Sequence, residues 1–440
     1  MFELAKWTEK IPESEIRRLL RYSPKWYFAG GKPGVLALKA LKEIIDELSQ
    51  ELSLRIKKSG EFSSSWLFDY GPTGGWPDLR RVLAERLRQK ENVNLDPQEG
   101  WQDVIITTGS QQTLYSFLDV LTNPGDLAIV TRPSYLGFLG PAAKLGIDLI
   151  SVPSDQGGII PEAVEKACEL CMRELKRLPK ILYVIPYSDN PQGKTLSEKR
   201  KQQLWDMAEE WDLLIAEDMA YKEIRFDRST DLHPIKEFDK NNNRVVYMST
   251  TTKESGSLRL GYSVFPAPIR EQIVKAKGYF DLCSPSITQA IAKIYYEKYI
   301  DLVLPQVVQY YQKRALAMKK AIDENFPSGI RSDPQGGFFI WFDLAEEDFN
   351  TQKFVNTALK NDVLYVPGYA FFPLTGYAIS NECTQILPQI RKKNGMRLCY
   401  SLSTEEEINE GIACLGKILS TALSERTFRS DFRFPFLQAV

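Results

Sequence analysis

The sequence predicts an α/β protein: a large domain on a mostly parallel, seven-stranded sheet between helices, plus a smaller α+β domain. Three observations predict it. From residue 100 to about 265, β-branched apolar runs of strand length alternate with longer helical patterns, as in a parallel sheet covered on both faces. The chain has 440 residues, more than the ~250–300 that one hydrophobic core supports. After about residue 295 the alternation gives way to one long helix and short, separated strands.

Residues 1–35 read as an arm. A short charged helix, Glu13 to Tyr22, precedes Phe28-Ala29-Gly30-Gly31-Lys32-Pro33-Gly34, whose Gly/Pro content breaks regular structure. The large domain is expected at 36–295, opening on a helix from about Leu36 to Lys57 that can pack with either domain. Val104-Ile105-Ile106-Thr107-Thr108 is a buried strand. Gly109 breaks it, and Ser110 is expected to cap a helix from Gln111 to Leu121. Further strands are expected at 127–130, 149–152, 181–185, 213–216, 245–248 and 260–264, with helices at 137–145, 161–175 and 197–210. The small domain, 296–440, opens on a helix from Asp301 to Asn325. Strands near Gly336 to Phe342, Val363 to Val366 and Met396 to Ser401 follow. Ser424 to Val440 reads as a terminal extension anchored by Phe428, Phe432, Phe434 and Phe436.

Composition narrows the chemistry. Lys+Arg is 56 against Asp+Glu 57, a formal net charge of -1, so no global field draws the chain to nucleic acid or anionic membranes. The one histidine, His233, excludes two-histidine zinc sites. It sits in Leu232-His233-Pro234 without a nucleophile elbow and reads as a surface or satisfied residue. Six cysteines are too sparse for a disulfide scaffold, and Cys168 and Cys171 lie in a charged amphipathic helix with no second CxxC, so packing is expected rather than zinc. No apolar run approaches the ~18–20 residues of a membrane helix, and the start of the chain is too charged for a signal peptide. Free thiols without an export signal predict a cytoplasmic protein.

A parallel sheet binds ligands at the carboxyl ends of its strands, and four loops there carry unusual polar residues. Thr108-Gly109-Ser110-Gln111-Gln112 opens a helix and offers N–H groups and a hydroxyl to an anion. Pro186-Tyr187-Ser188-Asp189-Asn190-Pro191-Gln192-Gly193 presents an amide. Glu217-Asp218 ends an apolar strand, where a buried carboxylate needs a cation, and Tyr221 follows three residues on. The loop from Ser249 to Gly261 holds hydroxyls, Lys253 and Arg259; a desolvated lysine near a cation becomes a nucleophile. An anion cradle, an amide, a tyrosine, a buried acid and a reactive lysine together suit pyridoxal phosphate.

These motifs resemble the class I/II aminotransferases of the fold-type-I pyridoxal phosphate superfamily, and most of all their kynurenine/2-aminoadipate branch. Beyond the loops above, the likeness rests on Phe28-Ala29-Gly30-Gly31-Lys32-Pro33, Tyr70-Gly71-Pro72-Thr73-Gly74-Gly75, Gly336-Gly337-Phe338-Phe339, Val366-Pro367-Gly368 and Met396-Arg397-Leu398. Asp218 follows Asn190 by 28 positions and Lys253 follows Asp218 by 35, both similar to the family's spacing. The resemblance implies that Lys253 forms the Schiff base and then shuttles the proton, that Asp218 pairs with the pyridinium, and that Asn190 and Tyr221 bond the ring oxygen. It implies Tyr135 stacked on the ring, with the phosphate held by Ser110, Gln111, Thr250 and Arg259. Tyr70 would reach the phosphate of a neighbouring subunit in a homodimer with shared sites. Arg397 would clamp the substrate α-carboxylate beside Asn190, with Gly31 giving the arm a close approach. Tyr27, Phe28 and Tyr369 are candidates for a side-chain pocket.

The sequence also departs from the family pattern. Thr252 and Thr251 stand where Ser and an aromatic are usual, and no Pro separates Lys253 from Arg259, which follows by six positions where seven is commoner. Gln192 replaces the usual Thr, and Asp189 a frequent Gln or His. The expected activity is transfer of an amino group from an aromatic, 2-aminoadipate-like or aliphatic L-amino acid to a 2-oxo acid such as 2-oxoglutarate. The rivals are a lyase, decarboxylase or cyclising enzyme on the same cofactor, and a ligand-sensing module like the MocR effector domain.

Overall fold

The computed structural model describes residues 2–34, 38–59, 67, 69–229, 231–256 and 258–431. Seven strands form the body of one sheet: β1 (Val104–Thr107), β2 (Leu127–Thr131), β3 (Asp148–Val152), β4 (Pro179–Val184), β5 (Leu214–Asp218), β6 (Val245–Thr250) and β7 (Gly261–Val264). Their order is β3-β2-β4-β5-β6-β7-β1. Pairings from β3 to β6 are parallel, whereas β7 is antiparallel to both β6 and β1. Two reversals restore direction, so β1 ends on the same side as β2, β4, β5 and β6. β7 begins there, which places Arg259 on that side as well.

The continuous apolar runs are explained by burial on both faces. Ile129, Ile150, Leu182, Ile215 and Val245 pack on one face with Ala163, Ala167 and Leu204 of the helices Pro161–Leu170 and Glu198–Glu210. Their strand neighbours Val130, Leu149, Ile181, Ala216 and Val246 pack on the other, with Leu114 and Phe117 of the helix Ser110–Leu121. Alternation along each strand feeds both layers.

The sheet is wider than the sequence predicts. Gly376–Ile379 pairs parallel to β3, and Ile386–Pro388 pairs with it in turn, giving nine strands where seven were expected. Both additions are too short to carry a periodic signal, and they come from the segment assigned by sequence to the small domain. The small sheet is antiparallel, in the order Gly329–Arg331, Phe339–Leu344, Gly395–Cys399, Val366–Pro367. Its core includes Met318 and Ile322 of the helix Ile300–Asn325 and Ile412, Leu415 and Leu419 of the helix Glu405–Asp431. The arm joins this core: Trp26–Tyr27 pairs parallel to Val363–Leu364, and Phe28 and Ala29 are fully buried.

Ser110 is not the cap it was expected to be. Gly109 is the N-cap, at φ 74°, and Ser110 is the first helical residue. The left-handed turn needs glycine, and a side chain there would strike the Arg259 guanidinium, 2.6 Å from where its Cβ would lie. The helix expected over 161–175 changes to a π turn at Cys171–Leu175. Cys168 and Cys171 are buried in the core, and burial pushes both thiols up to about 12. Among the described residues no helix is long and apolar enough to cross a membrane. The aromatic residues Phe432, Phe434 and Phe436 of the expected extension lie outside the described residues.

Candidate active site

A cavity of about 820 Å³ opens at the carboxyl ends of the strands. Ser110, Gln111, Tyr135, Asn190, Tyr221, Thr250, Lys253, Arg259, Gly31 and Arg397 all line it. They come from five strand-end loops, the arm and the small sheet, which the topology brings to one rim.

Lys253 ends a single 3-10 turn, Thr251–Lys253, capped by Thr250. Its ammonium sits 4.7 Å from the centre of the Tyr221 ring. Burial, helped by the positive charge of Arg259 and Arg397, lowers this amine to about 8, with Asp218 opposing the shift. Asp218 lies behind the cavity wall, 2% exposed. A cation was expected beside it. The structure instead gives its Oδ2 the Tyr183 hydroxyl at 2.9 Å and its Oδ1 the Ala220 N–H at 3.1 Å. Burial raises its carboxyl, while Tyr183 and the charge of Lys253 work against the rise. The cation that the resemblance implies there is the ring nitrogen of the cofactor; among the described residues the charge of Lys253 is the one that acts on Asp218.

At the other end of the cavity, Arg397 is fully buried. Its Nη1 donates to Asn190 Oδ1 at 2.9 Å and its Nη2 to the Ala29 carbonyl at 2.7 Å. Its plane is flanked by Phe339 at 4.0 Å and Phe371 at 5.0 Å, and its Nε–H is buried with no partner. An arginine only donates, so Asn190 must turn its oxygen to Arg397 and its NH₂ away from it. Gly31 passes so close to Phe339 that a Cβ would lie 2.6 Å from the ring.

The anion end is built from short-range bonds. Ser110, at a helix start, has no hydroxyl partner among the described residues, and the helix offers its first N–H groups. Arg259 takes a left-handed φ of 45°, and its Nη1 donates to Thr252 Oγ1 at 3.1 Å. Thr250 Oγ1 donates to the Leu260 carbonyl at 2.9 Å and accepts from the Thr252 N–H at 3.2 Å. Its hydroxyl thus belongs to the turn, and Thr252 is the threonine that meets the arginine.

Sequence reasoning missed four neighbours. Tyr183 reads as a core aromatic of β4, yet a buried tyrosine hydroxyl must find a partner, and that was the available signal. Thr252 registered only as a departure. Phe339 belonged to a motif but was given no role. Arg17, exposed on the helix Glu15–Leu19, lines the cavity mouth, and one arginine on a charged helix gives no signal. Three expected residues are elsewhere. Phe28 is in the core, Tyr27 is half-buried off the cavity wall, and Tyr369 donates its hydroxyl to Glu15 Oε2 at 2.9 Å. The apolar lining of the cavity includes Ile16, Leu20 and Leu136 instead. Tyr70 is 80% exposed and does not line the cavity of its own chain. His233 is outside too, its Nδ1 2.8 Å from Glu237 Oε2.

The donor set fits pyridoxal phosphate: a partly neutral amine for an aldehyde, a buried carboxylate for a cationic ring nitrogen, an amide for a ring oxygen, and a helix start with an arginine for a phosphate.

Comparison with known proteins gives the same family. The model of aminotransferase class I and II matches residues 37–415. Aromatic-amino-acid aminotransferase 1 of Thermococcus litoralis is 32% identical over 94% of this chain and 93% of its own. The structure of Pyrococcus horikoshii kynurenine aminotransferase, in complex with PMP and with KYN as substrate, superimposes with a TM-score of 0.81 at 29% identity, covering 96% of this chain and 97% of that one. The α-aminoadipate aminotransferase of Thermus thermophilus, complexed with N-(5'-phosphopyridoxyl)-L-leucine, gives 0.78 at 28% identity, covering 96% and 98%. The fold, the donor set around Lys253 and these likenesses agree: this chain belongs to the class I and II aminotransferases.

Proposed function

We propose that this pyridoxal phosphate-dependent aminotransferase moves the amino group of an aromatic, 2-aminoadipate-like or aliphatic L-amino acid to a 2-oxo acid such as 2-oxoglutarate, as a cytoplasmic homodimer. The carrying observation is that a lysine amine lowered to about 8 and a buried arginine with an unpartnered Nε–H open into one cavity.

When bound, pyridoxal phosphate supplies the aldehyde and the electron-withdrawing ring that acidify a substrate α-proton. Lys253 Nζ, tuned close to neutral pH, takes up that proton and returns it. Asp218 keeps a negative charge against the ring nitrogen, held in position by Tyr183. Asn190 Nδ2 and Tyr221 donate to the ring oxygen. Tyr135 supports one face of the ring. Ser110, the Gln111 N–H and Arg259 would hold the phosphate, with Thr252 beside Arg259 and Thr250 bracing the turn that carries them. Arg397 binds the α-carboxylate with a planar fork that its aromatic neighbours keep in plane. Arg17, at the mouth, supplies a second positive charge for a distal carboxylate.

The dimer rests on exposed aromatic surface. Tyr279, Phe280 and Leu282 are 91%, 62% and 56% exposed, and Ser286 Oγ nearby donates to the Asp69 carbonyl at 3.3 Å, next to the exposed Tyr70. A second copy covering this patch would bring Tyr70 to its partner's phosphate end.

Borohydride reduction of the cofactor-loaded protein followed by peptide mapping should find the pyridoxyl group on Lys253. A panel of amino donors with 2-oxoglutarate should yield glutamate and the matching 2-oxo acid in equal amounts. Label on another lysine, or 2-oxo acid without glutamate, would overturn the reading. Sedimentation should give a dimer.

A further inference from the structure

A second cavity, of about 300 Å³, lies behind the loop that carries Asn190, against the strand Phe339–Leu344 of the small sheet. None of its lining residues lines the first cavity. Its charged lining is Arg132, Asp155, Lys194, Arg331, Asp343 and Lys392.

The charges do not cancel. Asp155 is neutralised by Arg200, through two contacts of 2.6 Å. Arg331 is neutralised by Asp323, at 2.6 and 2.8 Å. The other three cations lack such partners. Arg132 is 8% exposed, and its guanidinium donates to neutral acceptors: the Ser151 carbonyl at 3.2 Å, the Ile379 carbonyl at 2.9 Å and Asn381 Oδ1 at 2.9 Å. Lys194 is also 8% exposed, yet among the described residues its ammonium has neither a hydrogen-bond acceptor nor a carboxylate within 4 Å. Asp189, Asp155 and Asp343 act on it only from further away. Lys392 reaches Asp343 Oδ2 at 4.0 Å. In the lining, three cations therefore face one remaining carboxylate, Asp343, with Asp189 acting on Lys194 from outside it.

An ammonium confined to a narrow cavity is costly unless an opposite charge meets it. The cavity is at the small end of ligand sites, and it has neutral donors besides. Gln192, in the lining, accepts from Ser154 Oγ at 3.2 Å, so its NH₂ remains a donor. Gln192 is one of the positions at which this sequence departs from its family's pattern, and it does not line the catalytic cavity.

We infer that this second cavity binds a compact dianion, a dicarboxylate or a phosphate, between Arg132, Lys194 and Lys392. The ligand would tie the loop of Asn190 to the small sheet.

Calorimetric titration of the cofactor-loaded enzyme with succinate and, separately, inorganic phosphate at constant ionic strength tests this. At least one should bind saturably below about 1 mM, with acetate far weaker. Lys194→Gln should weaken that binding about tenfold or more, with the cofactor absorbance unchanged. Whichever probe loses affinity identifies the source of the oxyanion. Lys392→Gln, on a half-exposed side chain, is the second variant and should weaken binding about threefold; it carries the test if Lys194→Gln fails to fold. Absence of binding by both probes, or binding that both variants leave intact, overturns the inference. The second result would place the anion in the catalytic cavity.

Discussion

The two ends of the catalytic cavity are built in opposite ways. At the anion end, the helix start at Ser110 meets the loop from Thr250 to Arg259, whose own bonds are short in sequence and partly open to solvent. Thr250 and Thr252 are two positions apart with their hydroxyls at 2.7 Å, Arg259 bonds Thr252 across seven, and Arg259 itself is exposed. At the carboxylate end, Arg397 is sealed, and its two bonds span 207 and 368 positions. A local loop can cradle a phosphate, because helix N–H groups and solvent share the charge. A buried guanidinium needs the arm, the Asn190 loop and the small sheet all in place. The contrast predicts graded losses on substitution.

The largest loss falls where the two ends meet. Lys253→Ala should lower kcat about 10⁴-fold, while pyridoxal phosphate still binds without a covalent bond, as absorbance and equilibrium dialysis would show. Near-normal turnover would remove the amine from the chemistry. Next comes Arg397→Ala, which strands the Asn190 oxygen and the Ala29 carbonyl in the interior. A loss of about 10²–10³-fold in kcat/KM, with a lowered melting temperature, is expected. Lys at this position keeps the charge but loses the fork and should recover only part of the activity. By contrast, Arg259→Ala should raise the concentration of cofactor needed for half-loading about tenfold or less, with little change in melting. Equal losses of stability at the two ends would erase the comparison.

The same contrast explains what could be read in advance. The seven strands of the sheet body were legible because most are apolar runs of strand length; Ser110, Gln111 and Thr250 of the anion end stand at the ends of such runs, and Arg259 just before the last one. The edge strands Gly376–Ile379 and Ile386–Pro388 were not, because four and three residues hold no period. Arg397 was placed by the resemblance alone: nothing around Met396-Arg397-Leu398 shows that Ala29 and Asn190 lie beside it. Tyr183 was hidden for a related reason. Its hydroxyl reaches Asp218 only because β4 pairs with β5 in the register that puts Tyr183 opposite Ala216. Ser110 was assigned the cap by propensity, and the need for positive φ gave that place to Gly109.

Two pH effects sharpen the picture at the amine. Tyr183→Phe removes a hydrogen bond that holds Asp218 down, so the carboxyl rises further. A protonated Asp218 cannot balance a cationic ring, so activity should fail at a higher pH on the acid side, with kcat down about tenfold at most. An unchanged acid limb would show that the hydroxyl does not tune the acid. The second effect concerns Lys253 itself. Only the neutral amine attacks an aldehyde, and this one is lowered to about 8. The rate of cofactor loading should rise about tenfold per pH unit below 8 and level off above it. A rise continuing past pH 10 would mean an ordinary, solvated lysine.

The smallest effect is expected at the rim. Arg17 is exposed, so water screens its charge and its pairing with a carboxylate is weak. Its removal should leave the proposed α-carboxylate contact with Arg397 untouched. Arg17→Ala should therefore raise KM for 2-oxoglutarate about three- to fivefold and leave KM for pyruvate, which lacks a distal carboxylate, unchanged. Added salt should narrow the difference in the wild-type enzyme, because screening acts on the exposed cation and not on the sealed one. A parallel rise for both acceptors would make Arg17 a support of the helix Glu15–Leu19 rather than a reader of the substrate, and would leave the carboxylate end with a single working arginine.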